Sequence, residues 1–558
     1  MPGPSAGTNP ITRVPEEGPE RKGHLNLQIL VRELGGSPLV RGYLEGETHL
    51  SHFFEGSPWD PSPYLEKARE VDQRFPRGAR ELAATFLNPP SDSASRPLSR
   101  LVQEGGYFVT TGQQPGLFGG PLLGLYKALS AVRLAEALEP LLGRPVLALF
   151  WIASEDHDWE EAHHTHLLDI HNELHTLRAP APEGAGHRPL HRIRLGEGIE
   201  GTVDRFLSLL PDSEFAPDLR ELLQEAYRPE GTLAEGFTSV FSHLLAHLPI
   251  VFADAGNRDL KRASLPILFR EMDRAREHER LLTASASRLE MAGYHVQVPI
   301  LPGGLNLFLE GPEGRERLYR DGRGIRLHRS GLRLSPGEVR ARAEDDPTLL
   351  SPNVLLRPVV ESALFPTVAY VGGPGEVSYF AQLKELFQCH GIRMPVVRPR
   401  DSILLVEKKV GKVLEKFGLT PDSMERPYHE LASDLARSEL PEEVRSALGE
   451  MRGAVGKGAG ALARAVQDID ATLRGPVTHA RNAAFAALDD AERKILQAMK
   501  RKNDIALEQV EKAQHHLFPL ARPQERVLNM FYYLFRYGTG LIPAIRDELH
   551  VALGDDST

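Results

Sequence analysis

The sequence predicts an α/β protein: a Rossmann-like core with a doubly wound parallel sheet, followed by an α-helical coiled-coil domain. Three observations predict it. Nearly continuous apolar runs recur through the first 400 residues, glycine-rich turns and amphipathic segments separate them, and heptad-like spacing replaces them after residue 403. Parallel strands that are covered on both faces have continuous apolar runs. Strands with one face in solvent alternate between apolar and polar residues. The order strand, tight turn, helix is typical of doubly wound sheets.

Five short runs are the predicted strands of this sheet. A turn rich in glycine and proline follows the first run and leads to Pro121, which we expect at the first position of a helix. Another glycine-rich turn follows the fourth run and leads to an amphipathic segment. The five runs are 107–111 (YFVTT), 146–152 (VLALFWI), 250–254 (IVFAD), 367–371 (TVAYV) and 393–397 (RMPVV).

Composition divides the chain into four parts. Residues 1–23 are predicted to be a flexible arm, and 24–402 the Rossmann-like core. Residues 403–518 are predicted to be the coiled-coil domain, and the aromatic segment 519–558 to pack back on the core. The core carries two predicted insertions, a helical one at about 180–245 and one of β-hairpins at about 294–345, where Gly-containing pairs mark turns.

Apolar spacing in the third part predicts its helices. A helix is expected from about 403 to 417, with Leu405 and Val406 on its apolar face and Gly418 ending it. Leu488 and Ile495 belong to a short heptad stripe that changes register at Lys502. So narrow a stripe needs a partner, either the 403–418 helix or a second subunit. We expect an intrachain antiparallel hairpin, with a homodimer contact at its outer face or tip.

Charge, cysteine content and hydropathy argue against several classes of protein. The 558 residues carry 66 basic and 76 acidic side chains, a formal net charge of −10, so no basic excess favours nucleic acid or an anionic membrane. Cys389 is the single cysteine, which excludes an intrachain disulfide. The longest apolar run, 146–153, is far below the ~18 residues that span a bilayer. We expect a cytoplasmic protein that binds neither nucleic acid nor membrane.

The first candidate site is the turn TTGQQPGLFGGP at 110–121. Ligands of open α/β sheets bind beyond the carboxyl ends of strands, where glycines allow the backbone to approach. Paired glutamines offer neutral donors and acceptors that a turn alone does not need. A tight strand-to-helix connection is the alternative. The predicted substrate-binding residues here are Gln113, Gln114, Gly116, Gly119 and Gly120.

The second candidate is SEDHDWEE at 154–161, directly after the second predicted strand. Grouped acids with a histidine suit general acid–base work, which predicts Asp156, His157 and Asp158 as catalytic residues. Ser154 and Glu155 are predicted to bind substrate. The alternatives are a solvated acidic loop that caps the next helix, and a metal site that uses the histidines that follow.

Two further clusters follow the last two predicted strands. A glycine-rich loop repeats the strand-to-helix pattern, and the arginines of RPRDS at 398–402 could neutralise a phosphate or carboxylate. Structural turns and an exposed edge are the alternatives. The residues predicted to line a nucleotide or second-substrate cleft are Gly372, Gly373, Gly375, Glu376, Arg398, Asp401 and Ser402.

Five motifs together resemble one family, the cysteine-adding enzymes of bacillithiol biosynthesis, over essentially the whole chain. The resemblance implies a core related to nucleotidylyltransferases, two connecting-peptide insertions and a coiled coil that supports dimerisation. No HxGH or KMSKS-like run is present, and TGQQPG stands where the first is expected. The motifs are TGQQPGLFGGPL, FWIASEDHDWEEAHH, FADAGNRDLKR, AYVGGPGEVSYFAQL and PRDSILLVEKK.

The resemblance implies the final step of bacillithiol synthesis, in which cysteine is ligated to glucosaminyl-malate through an amide bond. A carboxylate does not acylate an amine unaided, so activation by ATP is expected. Gln113 and Gln114 would then bind the sugar or malate, Asp156 and His157 would position or deprotonate the amine, and Arg398 would meet a carboxylate or phosphate. No tightly bound metal is expected.

Two other functional classes stay open at this stage. A metal-dependent hydrolase could use the acids and histidines of 155–166, and tightly bound zinc or manganese would favour it. A non-catalytic coiled-coil scaffold is the other class. The polar motifs crowded at the predicted strand ends argue against the scaffold.

Overall fold

A computed structural model describes residues 26–554 of the protein, and the arm expected at 1–23 lies outside the described residues. The strands are β1 (Leu27–Arg32), β2 (Tyr107–Gln113), β3 (Val146–Ile152), β4 (His164–Leu168), β5 (Leu174–Arg178), β6 (Ile250–Asp254), β7 (Gly304–Gly311), β8 (Gly314–Asp321), β9 (Gly324–Leu327), β10 (Arg333–Leu334), β11 (Leu350–Pro352), β12 (Thr367–Gly372), β13 (Val396–Pro399) and β14 (Ser402–Glu407).

Helices surround and connect these strands. They are α1 (Pro38–Leu44), α2 (Pro61–Arg74), α3 (Arg77–Thr85), α4 (Asp92–Glu104), α5 (Leu123–Leu142), α6 (Trp159–Ala162), α7 (Gly198–Leu209), α8 (Ala216–Ala226), α9 (Leu233–Leu244), α10 (Arg258–Asp273), α11 (Ala275–Met291), α12 (Pro336–Asp345), α13 (Arg357–Leu364), α14 (Pro374–Phe380), α15 (Lys384–Cys389), α16 (Lys408–Phe417), α17 (Tyr428–Ser438), α18 (Glu442–Ala465), α19 (Arg474–Lys502), α20 (Asp504–Leu517), α21 (Phe531–Tyr537) and α22 (Leu541–Glu548).

The central sheet is parallel and has the order β13-β12-β2-β3-β6. The predicted Rossmann-like α/β class is therefore confirmed, and each strand overlaps one of the five predicted runs. Strand β3 is buried along its whole length, as its unbroken VLALFWI run requires. Two boundaries differ: β2 extends to Gln113, and the helix after it begins at Leu123 rather than at Pro121.

The strand order reverses beside β2. The chain passes from β2 outward to β3 and β6, and then returns to place β12 and β13 on the other side of β2. Such a switch point opens a crevice at the carboxyl ends of the strands, because the connections leave in opposite directions. Gln113 ends β2 and Gly373 follows β12, so two of the predicted motifs flank this crevice.

Two inserted units cover the sheet. Helices α7, α8 and α9 occupy most of 180–245, and their apolar faces join the main core. The other unit is a five-stranded antiparallel sheet of order β10-β9-β8-β7-β11, packed against α10 and α11 in a second hydrophobic cluster. This second sheet places β8 beside the crevice.

The helix predicted from 403 to 417 begins later than expected. Leu405 and Val406 lie in β14, which pairs antiparallel with β1, and α16 begins only at Lys408. A run of Leu and Val fits a strand as well as a helix, and the distant pairing with β1 decides between them. Gly418 ends α16 as predicted, with a left-handed φ of 63°.

The coiled coil is an antiparallel hairpin of α18 and α19. Arg452 on α18 pairs with Asp489 and Glu492 on α19, while Gly456 lies opposite Phe485. The helix at 403–418, which the sequence offered as one partner for the stripe with Leu488 and Ile495, does not fill that role. Its helical part, α16, packs on α20 instead. The change of register near residue 502 coincides with the boundary between α19 and α20.

The C-terminal segment belongs to the main core. Phe531, Tyr532 and Tyr533 on α21 are fully buried, and Ile542 on α22 joins the same cluster. Asn529 ties this segment to the first glycine-rich turn by donating to the carbonyl groups of Phe118 and Gly120. Within residues 26–554, no helix combines the length and the apolarity needed to cross a membrane.

Candidate functional site

A cleft of about 800 Å³ lies at the carboxyl ends of the central strands, at the switch point. It lies between the strand ends of the parallel sheet, the face of β7 and β8, and the loop that precedes α21. Nine of the residues predicted from sequence line it: Gln113, Gln114, Gly116, Glu155, Asp156, His157, Gly373, Gly375 and Glu376.

The side chains after β3 form a connected polar network in this cleft. Gln114 donates to Asp156 Oδ2 at 2.5 Å, and the backbone N–H of His157 donates to Oδ1 at 2.8 Å. Arg315 Nη1 lies 3.5 Å from the same Oδ1 and donates to His157 Nδ1 at 3.1 Å. Residues from two sheets therefore fix one carboxylate and one imidazole.

Arg315 is held by its surroundings before any ligand binds. Its Nε donates to Ser351 Oγ at 2.9 Å, its Nη2 donates to the Pro352 carbonyl at 3.0 Å, and the guanidinium lies 4.0 Å from the ring centre of Phe308. A guanidinium only donates hydrogen bonds, so His157 Nδ1 must accept. The neutral imidazole consequently carries its proton on Nε2.

This network keeps the Asp156 carboxyl ionised. Burial alone would raise its pKa, but the charge of Arg315 and the hydrogen bonds from Gln114 and from the backbone N–H of His157 hold the pKa well below its usual value. A carboxylate with so low a pKa is a weak base. It is suited to binding and orienting a cation such as a protonated amine.

A second ion pair closes the opposite wall. Lys127 on α5 lies 2.5 Å from Glu376 Oε2 and donates to the carbonyl of Gly112 at 2.7 Å. Burial would raise the pKa of Glu376, but Lys127 and the Tyr370 hydroxyl lower it. The backbone N–H of Gly373 donates to the same carboxylate at 2.8 Å, which fixes the glycine loop. Glu376 thus shapes this wall.

Glu155 lines the cleft, and its carboxylate forms a buried ion pair. Its carboxylate lies 2.5 Å from Lys261 Nζ on α10, and both side chains are almost fully buried. Lys261 also donates to the carbonyl of Leu350 at 3.0 Å, so it links α10 to the second sheet. The pair joins the two sheets near the cleft.

Four of the predicted residues around the first two motifs have structural contacts outside the cleft. Asp158 caps α6 by accepting from the N–H of Glu161, and Ser154 bonds Asp254 and Gly256. Gly119 and Gly120 have φ of 77° and 70°, which glycine adopts without strain. A Cβ on Gly119 would lie 3.0 Å from Met530 Cε, so this glycine serves packing and turning.

The other four predicted residues also lie outside the cleft. Arg398 donates to the carbonyl of Pro58 and stacks 3.6 Å from the ring centre of Trp59, and it does not line the cleft. The carboxyl of Asp401 contacts Ser130, and Ser402 donates to Glu525. Gly372 ends β12 beneath the side chain of Tyr370.

Sequence reasoning missed most of the positive charge in the cleft. Arg315 and Arg317 alternate along β8, and Arg522 and Arg526 are spaced one helical turn apart before α21. These two spacings were the available signal, but charged side chains so spaced are usually solvated. Arg400 lines the cleft and belongs to the predicted RPRDS cluster. The missed basic residues that line the cleft are Lys127, Arg315, Arg317, Arg357, Arg522 and Arg526.

The histidines after the acidic motif make local hydrogen bonds. His163 and His164 bond backbone carbonyls four residues earlier, and His166 bonds the Thr176 hydroxyl. His175 bonds Asp169 in the turn that follows β4. Among the described residues, the stretch 155–166 brings no three metal-ligating side chains together. The hydrolase alternative therefore gains no geometric support.

Comparison with known proteins agrees with this architecture. The family model of the Bacillithiol biosynthesis BshC, N-terminal Rossmann-like domain, matches residues 25–401, and that of the C-terminal coiled-coil domain of BshC matches 403–555. The chain belongs to the BshC family. Both halves of the chain, the sheet domain with the cleft and the helical domain, thus have counterparts in BshC proteins.

Relatives in several bacteria cover nearly the whole chain. A protein of Salinibacter ruber is 33% identical over 532 residues, which are 94% of this chain and 96% of the relative. A protein of Prosthecochloris aestuarii is 34% identical over 81% of both chains, and one of Heliobacterium modesticaldum is 32% identical over 91% of this chain and 95% of its own. Each carries the name "Putative cysteine ligase BshC".

Proposed function

We propose that this protein is a ligase of bacillithiol biosynthesis that joins the carboxyl group of cysteine to the amine of glucosaminyl-malate, with activation by ATP. Membership of the BshC family and the names of the relatives support the ligase activity. The observation that carries the proposal is the ionised Asp156 in a cleft at the switch point, surrounded by arginines. Such a cleft suits one amine and several anionic groups.

Asp156 binds the substrate amine in this proposal. Its low pKa keeps the carboxylate charged at neutral pH, and Gln114 and Arg315 hold its oxygens in place. His157 donates its Nε2 proton to an oxygen of the activated cysteine, because Arg315 occupies its Nδ1. The structure thus favours positioning roles over proton abstraction for this pair.

The basic residues of the cleft receive the anions. Glucosaminyl-malate carries two carboxylates and ATP carries a triphosphate, and guanidinium groups bind both kinds of oxyanion in bidentate fashion. Arg522 and Arg526 form one cationic edge of the cleft, and Arg317 lies on another. We assign the malate and the nucleotide to these edges.

The chemistry runs in two balanced steps. The cysteine carboxylate attacks a phosphorus atom of ATP, forming a mixed anhydride and releasing either pyrophosphate or ADP. The bound ammonium group first gives one proton to solvent. The resulting amine then attacks the carbonyl carbon, the bond between carbon and the phosphoryl oxygen breaks, and AMP or phosphate leaves. The surplus proton of the nitrogen passes to the departing phosphate group.

Cysteine labelled with ¹⁸O in both carboxyl oxygens tests this proposal. The purified protein, glucosaminyl-malate, labelled cysteine and ATP should yield a product with the summed mass of the two substrates minus one labelled water. Mass spectrometry should find the lost ¹⁸O in AMP or in phosphate, which identifies the bond attacked. Product formed with no label in either AMP or phosphate contradicts activation by ATP, and no product with any nucleoside triphosphate contradicts the ligase.

The homodimer and the cytoplasmic location expected from the sequence belong to this proposal. Exposed apolar side chains on the coiled-coil hairpin, Met451 on α18 and Ile469 at the tip among them, are consistent with a contact between subunits. Light scattering after size exclusion measures the dimer independently of activity.

A further inference from the structure

Three buried ionisable side chains meet outside the cleft, where three helices converge. Glu271 lies near the end of α10, His278 lies in α11, and His390 follows the last residue of α15. One ligand atom from each residue lies within 4.8 Å of the others, and the side chains are at most 5% exposed. None of the three lines the cleft.

The imidazole nitrogens of this cluster lack partners. His278 Nε2, His390 Nδ1 and His390 Nε2 are all shielded from solvent, and none of them has a hydrogen-bonding partner. Buried polar side-chain atoms in folded proteins are nearly always satisfied, so three orphaned nitrogens in one place need an explanation. A bound metal ion would take the lone pair of one nitrogen of each ring, and the other nitrogen of that ring then carries the N–H.

The carboxylate is oriented as metal-binding carboxylates are. Asn306 donates to Glu271 Oε1 through both its backbone N–H and its side-chain amide, each at 3.0 Å. The remaining oxygen, Oε2, contacts His278 Nδ1 at 2.5 Å. Asn353 in turn donates to Asn306 Oδ1 at 2.9 Å. Hydrogen bonds of this kind hold a metal-binding carboxylate in a fixed orientation and are typical of metal centres.

The two rings are spaced for a shared ion. Their centres lie 5.0 Å apart at an interplanar angle of 43°. Two imidazoles bound to one tetrahedral zinc at about 2.1 Å have ring centres roughly 5 Å apart.

We propose that Glu271, His278 and His390 bind a zinc ion. Two neutral imidazoles and one carboxylate are a donor set that zinc favours, and magnesium and calcium disfavour imidazole. Zinc would take one nitrogen lone pair from each ring and one carboxylate oxygen of Glu271, in exchange for water molecules of its hydration shell. The site is structural: it ties α10, α11 and α15 together, and Asn306 and Asn353 connect it to the wall of the cleft.

This inference is independent of the ligase proposal. It departs from the expectation that the protein holds no tight metal, which rested on the histidines of 163–175. Those histidines and the group Asp169, Glu173 and His175 bond one another or the local backbone, whereas the cluster of three helices leaves nitrogens unpaired.

Metal analysis of the full-length protein tests the site. After loading with zinc and desalting, plasma mass spectrometry should find about one zinc per chain. His390→Gln and His278→Gln should each lower the bound zinc at least tenfold, while the control His175→Gln should retain it. Wild-type protein without bound zinc overturns the proposal, as does zinc that stays in both variants or leaves with His175→Gln.

Unfolding of the variants must be distinguished from loss of a ligand. Circular dichroism reports whether His390→Gln keeps its helices. In addition, anomalous diffraction at the zinc edge from wild-type crystals should give a peak among the three side chains. An anomalous peak elsewhere with none here contradicts the site whether or not the variants fold.

Discussion

Arg315 connects the two sheets at the level of single atoms. It bonds Ser351 and Pro352 in the second sheet and reaches Asp156 and His157 at the end of β3. The interaction sets both the charge state of Asp156 and the tautomer of His157. A single buried guanidinium therefore determines what both groups can do with a substrate.

Arg315→Gln should move the acidic limb of the pH profile. The charge of Arg315 lowers the pKa of Asp156, so its removal raises that pKa, and the carboxylate is protonated at higher pH. In the wild type, the low pKa of Asp156 places the acidic limb of kcat/KM below the ordinary range of a carboxyl group. In the variant, we expect the limb of kcat/KM to rise by on the order of one pH unit or more.

Arg317→Gln is the matched control for this measurement. Arg317 lies on the same strand and the same cleft wall, 5.0 Å from the ring centre of Phe308, but it makes no contact with Asp156. It should weaken binding of anionic substrates while leaving the acidic limb in place. If the acidic limb of kcat/KM moved by the same amount in both variants, the pKa of Asp156 would not determine that limb.

Residues close in sequence to a strand end could be predicted, and those brought there by folding could not. Gln114, Asp156 and Glu376 lie within a few residues of their strands, so the rule for open sheets located them. Arg315 and Arg526 come from an insertion and from the C-terminal segment. Their approach depends on how sheets and segments pack, which local patterns do not encode.

At the scale of elements, the coiled-coil hairpin is the least buried part of the fold. Helix α18 has no buried residue, and α19 contributes only a few, among them Leu488 and Leu496. Ion pairs such as Arg452 with Glu492 join the two helices, but exposed pairs contribute little free energy. The hairpin shares no hydrophobic cluster with the central sheet.

Leu488→Asp should therefore unfold the hairpin selectively. Loss of this buried contact costs about 2 to 4 kcal/mol of local stability, and the sheet domain should not respond. Limited proteolysis should cut within 442–502 faster in the variant, while the main thermal transition stays in place. If the hairpin holds the subunits together, light scattering should also show less dimer.

Leu462→Asp on α18 is the control, because Leu462 is 52% exposed and loses little on substitution. It should be cut at the wild-type rate. Equal sensitivity of the two variants would show that the buried stripe does not stabilise the hairpin.

Elements were predicted well wherever the pattern was local. The five strands of the central sheet and the end of α16 at Gly418 follow from apolar runs and a glycine cap. Pairings over long distances were not predictable. Strand β14 was read as a helix because its partner β1 lies far away in the sequence, and α18 was not recognised as the partner of α19.

At the scale of the whole molecule, the cleft is a place where five separate parts of the chain meet. The turns after β2, β3 and β12 supply the polar residues, the second sheet supplies Arg315, and the C-terminal segment supplies Arg522 and Arg526. The last segment reaches the cleft because its aromatic residues are buried in the main core. The insertions and the C-terminus thus complete a site that the sheet begins.

The central claim is that the cleft at the switch point forms the amide bond, with Asp156 as the residue that binds the amine. Asp156→Asn and Asp158→Asn are a matched pair, because the two carboxyl groups are close in sequence but only Asp156 lines the cleft. Asn also caps helices well, so both variants should fold.

The most direct measurement is the rate of amide formation from glucosaminyl-malate, cysteine and ATP by the wild type and these two variants, followed by mass spectrometry. We expect Asp156→Asn to lower the rate of amide formation at least a hundredfold, and Asp158→Asn to keep a rate within about threefold of wild type. Full activity of Asp156→Asn, or equal losses in both variants, would contradict the central claim.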